Sequence, residues 1–374
     1  MMNKTAKRAC FCALLVAGGL IASDLFAQRQ LRRHTATTAG ALDLQAATQA
    51  PIAASEVSIT IEGDRRVIRS NSISEHNTGQ FPNGGNPNGI SEQDVEFSLP
   101  LQPVMAAQPT YFPLGTFGVA VNGVILEPQA AEWYLGERDG GWQYDPLGGA
   151  IALGLDENHA HVQPDGTYHY HGLPTGLLTT LGLDPHQESP LVGWAMDGFP
   201  IYARYAAPDA NDGESVRELA SSYRLKSGNR PSGGDQPGGR YDGTFLEDWE
   251  YVAGLGDLDQ CNGTTVTTAE FPQGTYAYFL TATYPFVPRC FTGTPIDEAL
   301  PRGPGGPQQA VRVGNGPRPQ RGGDPLTQAA AELGVSVDAL RRAVGPPPPN
   351  FARAAQQLGI DEQQLRRAFQ NARR

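Results

Sequence analysis

NHAHVQPDGTYHYHG, residues 158–172, carries four of the chain's seven histidines. Two His-x-His pairs flank Pro164-Asp165-Gly166. Proline suits the first central position of a type I turn and aspartate the second, and glycine then takes the left-handed position of a bulge. A type I′ turn is closed to this triplet because the proline ring fixes φ negative. The turn predicts a β-hairpin with Gln163 opposite Thr167, His161 opposite His169 and His159 opposite His171. Strand residues two apart share a face, and so do opposed residues. All four imidazoles are therefore expected on one face. Ala160, Val162, Tyr168 and Tyr170 are expected on the other, in a core. A one-residue slip would divide the rings between the two faces, so apolar pattern and turn chemistry select one register.

Opposed Cβ atoms in such a hairpin sit about 5 Å apart, within range for imidazoles to share an ion bound at roughly 2.0–2.1 Å. His159, His161, His169 and His171 are thus candidate metal ligands. His76 is a further ligand if the fold brings it near. Asp156 is either a ligand or the group that orients an imidazole through its second nitrogen, and Glu157 is placed similarly. Zinc or copper suits imidazole without thiolate. The competing reading is a hydrogen-bonded polar cluster or a cleft for an organic ligand.

Working outward, FGVAVNGVIL (117–126) places Asn122-Gly123 between two apolar runs. GWAMDGFPIYARY (193–205) does the same with Asp197-Gly198, so both predict hairpins. TYAYFLTAT (275–283) predicts a buried strand, and polar, Gly-rich 206–245 a surface insertion. The 374 residues include 45 Gly and 31 Pro, a composition for turn-rich β structure. The expected fold is mainly β: an antiparallel, sandwich-like domain with long loops over 56–300. Residues 28–55 read as a flexible leader and 301–325 as a disordered Pro/Gly/Arg linker. Within 326–370, LTQAAAELGVSVDALRRAVG and FARAAQQLGIDEQQLRRAFQ repeat with an offset of 25, each predicting a helix-turn-helix-like unit.

Lys4, Lys7 and Arg8 precede the apolar run 9–22, and small residues follow up to Ala27. Residues 1–27 therefore read as a signal peptide, the run being short of the roughly 20 residues a membrane span needs. Export makes a disulfide the simple reading of Cys261 and Cys290. It would close a loop of about 30 residues and stabilise by about 3 kcal/mol. Two free thiols or two metal thiolates are the alternatives. Net charge is −11, while the Arg-rich tail is basic, so the main domain is more acidic still. That argues against nucleic acid as its partner. The basic repeats suit a protein or an anionic surface.

Tyr168-His169-Tyr170-His171 is a literal YHYH. With DENHAHVQPDGTYHYHGLPTGLL (156–178), GWAMDGFPIY (193–202), EHNTGQFPNGGNP (75–87), FGVAVNGV (117–124), DLDQCNGTT (257–265) and FPQGTYAYFLTATYPFVPRCFTG (271–293), the chain resembles the YHYH domain family over roughly 56–300. The resemblance implies an exported protein and assigns no reaction. The tail repeats lie outside it.

Two function classes follow. One is an extracytoplasmic metal-binding domain, secreted, periplasmic or cell-surface, with a zinc hydrolase or copper oxidoreductase as its enzymatic form. Asp156, Glu157 or Asp197 would then serve as base. The other is a non-enzymatic adhesion or ligand-binding module for a small molecule or envelope component. HExxH, GxSxG and P-loop motifs are absent from the sequence, so those chemistries lack support.

Overall fold

The computed structural model describes residues 33–112, 114–207, 215–299, scattered positions between 330 and 343, and 351–371. The predicted signal peptide and linker lie outside the described residues. The chain divides into two units, Met1–Val313 and Gly314–Arg374.

The first unit is mainly β. Its strands are β1 (Val57–Glu62), β2 (Arg65–Ser70), β3 (Val95–Pro100), β4 (Met105–Tyr111), β5 (Gly118–Ala120), β6 (Ile125–Leu126), β7 (Ala160–Val162), β8 (Tyr168–Tyr170), β9 (Gly193–Ala195) and β10 (Pro200–Ala203). There follow β11 (Tyr205–Ala206), β12 (Arg217–Glu218), β13 (Tyr223–Leu225), β14 (Ser232–Gly233), β15 (Gln236–Pro237), β16 (Trp249–Tyr251), β17 (Gly263–Val266), β18 (Thr275–Leu280) and β19 (Cys290–Gly293). Eight strands form the main sheet, in the order β17-β18-β10-β9-β5-β6-β8-β7. Strands β1, β2 and β3 form an antiparallel meander, and β4 pairs with β19.

Several sheets are antiparallel as expected, and the main sheet adds two parallel pairs. β6 runs parallel to β8, and β10 parallel to β18. Each parallel pair joins segments far apart in sequence, which local hairpin chemistry cannot announce. All three predicted hairpins form, with β5 against β6, β7 against β8 and β9 against β10. The apolar side chains that alternation assigned inward meet in one core. There Phe291 stacks between Phe112 and Phe117, and Val119, Tyr168, Tyr170, Ile201 and Tyr278 are buried. Cys261 and Cys290 are disulfide-bonded, with Cα atoms 5.1 Å apart. The bond ties the turn before β17 to the start of β19.

Two segments are more ordered than their composition suggests. From residue 33 onward, the presumed leader lies along the domain as a strap. Bridges join His34 to Tyr134, Gln45 to Asp156 and Gln49 to Thr78. Leu42 and Leu44 pack on buried Leu153 and Leu155. Two leucines are too few to register as a periodicity, yet enough to anchor an extended segment. The described part of the 206–245 stretch is built of short ladders around Arg230, whose guanidinium is buried against Asp242 and, at 2.6 Å, Asp248. An ion pair can hold a polar segment in place of apolar core when its charges match and its hydrogen bonds are made.

In the second unit the described residues show two short helices, Phe351–Leu358 and Glu362–Asn371, meeting at Gly359, whose φ is +66°. Much of the first predicted repeat lies outside the described residues. Among the described residues no helix is long and apolar enough to cross a membrane.

Candidate metal centre

The hairpin turn is the one its sequence specifies. Gly166 N–H donates to Gln163 O and Gln163 N–H to Thr167 O, both at 2.9 Å, with Gly166 at φ +93°. His161 therefore pairs with His169, Ala160 with Tyr170 and Val162 with Tyr168. His171 follows His169 by two residues on the same face. The rings of His161, His169 and His171 are each 4.7 Å apart, centroid to centroid. His171 Nε2 lies 3.0 Å from His161 Nε2 and 3.1 Å from His169 Nε2. His169 and His171 are buried. His161, on edge strand β7, is partly exposed.

Two of the outer nitrogens fix the chemistry of their inner ones. His161 Nδ1 is 3.0 Å from Leu153 O and His169 Nδ1 3.2 Å from Thr167 O. A carbonyl only accepts, so both Nδ1 atoms carry the proton and both Nε2 atoms present a lone pair. His171 Nε2 faces both lone pairs. A single proton there can satisfy one neighbour, leaving the other Nε2 lone pair facing this nitrogen without a donor. A cation among the three nitrogens removes that conflict. Nitrogens bound at about 2.0–2.1 Å in a tetrahedral set lie about 3.3 Å apart, close to the spacings found. Metal-binding histidines characteristically donate their outer N–H to a carbonyl or carboxylate. The ligand atoms of these three residues all fall within 4.8 Å of one another.

The three rings are held neutral. Burial depresses the pKa of His161 to about 3, aided by His169, and that of His169 to about 4. Burial first, and then the other two imidazoles, push His171 well below the ordinary value. Neutral imidazole is the form that binds a metal.

Glu127 is the site residue that the sequence reading missed. It follows β6, where Glu127 N–H donates to Tyr170 O, and its Oε2 lies 3.9 Å from His169 Nε2. Thr116 and Gln163 donate to its carboxylate at 3.1 and 2.7 Å. Burial raises its pKa to about 7. No local signal marks it, because it reaches the histidines only through the parallel β6/β8 pairing. A divalent ion beside it would favour the carboxylate and give the site a charged donor or a proton acceptor.

The other nominated residues lie elsewhere. His159 stands at φ +53° in a turn that precedes β7, and its Nδ1 bonds Leu173 O at 2.9 Å. The left-handed backbone takes it out of strand alternation, and it is not one of the clustered histidines. His76 and Asp156 serve the opposite, tyrosine face. Tyr170 hydroxyl donates to His76 Nε2 at 2.7 Å, because His76 Nδ1 is committed to Asn77 O. Tyr168 hydroxyl donates to Asp156 Oδ2 at 2.7 Å, and Asp156 also accepts from Gly79 and Asn158 N–H. Glu157 accepts from Ala47 N–H in the strap. Asp197 is committed to the Tyr278 hydroxyl and to Gly293 N–H. The YHYH motif thus sends histidines to one face and tyrosines to a buried hydrogen-bond network on the other.

The family model of the YHYH protein matches residues 96–293. No curated protein and no solved structure matches the chain.

Proposed function

The chain belongs to the YHYH protein family, and we propose that it is an exported domain that binds zinc or copper through His161, His169 and His171, with Glu127 beside the ion. The observation that carries this reading is the convergence of three Nε2 atoms, two of them with tautomers set by carbonyl acceptors. Three protein ligands leave a coordination position for water or substrate, and Glu127 is placed to exchange a proton there. That arrangement supports a hydrolase with zinc or an oxidoreductase with copper. Export rests on the basic and apolar N-terminal segment and on the disulfide.

Elemental analysis of purified wild type beside a His169→Ala, His171→Ala double variant tests the metal. The expected result is close to one zinc or copper per wild-type chain and none in the variant. Glu127→Gln should keep the metal but weaken its retention against a chelator by about ten- to a hundredfold, the range for partners of metal ligands. Metal-free wild type from a metal-replete preparation sinks the proposal. The domain would then be read as a non-enzymatic adhesion or ligand-binding module for a small molecule or envelope component. On either reading we assign the basic tail, with its proposed pair of helical repeats, to a protein or an anionic surface and not to nucleic acid.

A further inference from the structure

Arg289 immediately precedes the disulfide-bonded Cys290 and is buried, with 9% of its surface exposed. Its Nε, Nη1 and Nη2 are all buried and have no hydrogen-bond partner among the described residues. Its near polar neighbour is Asp145, whose Oδ1 lies 3.7 Å from Nη2, beyond hydrogen-bond reach. Its guanidinium carbon stands 4.8 Å from the centroid of the Tyr284 ring. The Trp249 indole stacks on the same ring, at 4.4 Å and 6°, and its buried Nε1 also lacks a partner. Buried polar groups are nearly always hydrogen-bonded, and a charged one without partners is the costliest exception. Here the guanidinium and the neutral indole both contact one tyrosine ring, and the guanidinium's positive charge opposes protonation of His171.

We propose that Arg289, with the Trp249 N–H, binds the carboxylate of a small monoanionic molecule. A carboxylate matches the planar fork of arginine with two parallel hydrogen bonds. Asp145 is buried beside the guanidinium, and Glu247 is a second carboxyl close enough to feel its charge. Two carboxyls disfavour a doubly charged phosphate, so the ligand is a monocarboxylate. The Tyr284 and Trp249 rings supply flat apolar contact for its body. Binding through Arg289 needs no metal, so the fate of this inference is separable from that of the metal centre.

The test uses the full chain, once treated with chelator and once loaded with zinc, and calorimetric titration with acetate, benzoate and inorganic phosphate. Benzoate and acetate should bind in both preparations, benzoate more tightly, and phosphate should not compete. Arg289→Lys keeps the charge but loses the fork and should weaken benzoate at least tenfold. Trp249→Phe keeps the stack, removes only the N–H, and should weaken benzoate several-fold while leaving melting temperature nearly unchanged. Asp145→Asn removes the competing carboxylate and should tighten benzoate. The proposal is overturned if no monocarboxylate binds wild type, if phosphate binds more tightly than benzoate, or if Arg289→Lys and Trp249→Phe both bind benzoate as wild type does. It is equally overturned if Asp145→Asn lowers the melting temperature without changing benzoate affinity, since Arg289 would then be only the partner of Asp145. Benzoate binding through Arg289 in a protein that never takes up metal would leave this inference standing and remove the metal reading.

Discussion

Three histidines of one hairpin share a site and the fourth does not, and the difference is one backbone angle. His161, His169 and His171 hold extended backbone or lie just beyond it. His159 sits at φ +53°, where the side chain leaves the alternation of the strand. Non-glycine residues tolerate that region at a cost of order 1 kcal/mol. We expect His159→Gly to change stability by less than about 1 kcal/mol, the relieved backbone offsetting the lost bond to Leu173 O, and to retain full metal content. Loss of metal in this variant would restore His159 to the site. The clustered histidines also predict a pH response. In the unfolded chain they titrate near the ordinary 6.5, and in the folded chain His161 near 3 and His169 near 4. The unfolded state therefore binds more protons through this window, so stability is whole above about 6.5 and falls as pH drops toward 3. A metal that binds only the folded state adds stability by mass action and is lost to protons over the same acidic range. Melting temperature against pH should fall more steeply for metal-loaded than for chelator-treated protein. Identical curves would argue against a metal on these rings.

One turn builds most of the elements that frame the site. In each of 120–124, 156–160, 163–167, 195–199 and 259–263, the first residue's N–H donates to the fifth residue's carbonyl. The fourth residue's N–H donates to the first residue's carbonyl. The fourth position is always left-handed: Gly123, His159, Gly166, Gly198 and Asn262. This is a type I turn followed by a bulge, a connection that matches the twist of antiparallel strands. Glycine fills the position where the hairpin is tightest. At Gly166 an added Cβ would collide with Ser91, and at Gly198 with the Pro100 carbonyl. Gly166→Ala should therefore cost about 1–3 kcal/mol in denaturant unfolding and loosen the histidine register. Gly84→Ala, where a Cβ meets nothing within 4 Å and φ is not positive, should stay within about 0.5 kcal/mol of wild type. Equal effects at the two glycines would show that the turn does not depend on its left-handed residue.

At the scale of the molecule, one long-range connection completes the site and a second holds the turn that leads into its hairpin. The parallel β6/β8 pairing delivers Glu127 to the histidines. The strap bonds both flanks of Asp156, with Gln45 N–H donating to Leu155 O and Glu157 N–H to Gln45 O, each at 2.9 Å. The tail is a separate unit with its own small apolar cluster, in which Leu340, Ala354, Leu365 and Ala368 are buried. We expect a chain ending at residue 300 to unfold cooperatively, with the midpoint and slope of the full-length β domain in denaturant. A shallower or earlier transition in the truncated protein would mean that the domain draws stability from its tail.

The chain by itself determined whatever depends on neighbours within about a dozen residues. Pro164-Asp165-Gly166 set the turn, the turn set the pairing of His161 with His169, and alternation sent the tyrosines to the core. The cysteine pair was legible because only two such residues lie beyond the N-terminal segment. Tertiary structure decided which of the candidate ligands meet. His76 and Asp156 have the right chemistry, but the pleat puts their partners, Tyr170 and Tyr168, on the face opposite the histidines. His159 has the right spacing, but a turn formed with Asp156 rotates it away. Glu127 was invisible because a parallel strand pair carries no local turn signature. Spacing along a chain specifies a face only while the backbone stays extended, and long-range pairing obeys packing of the whole core.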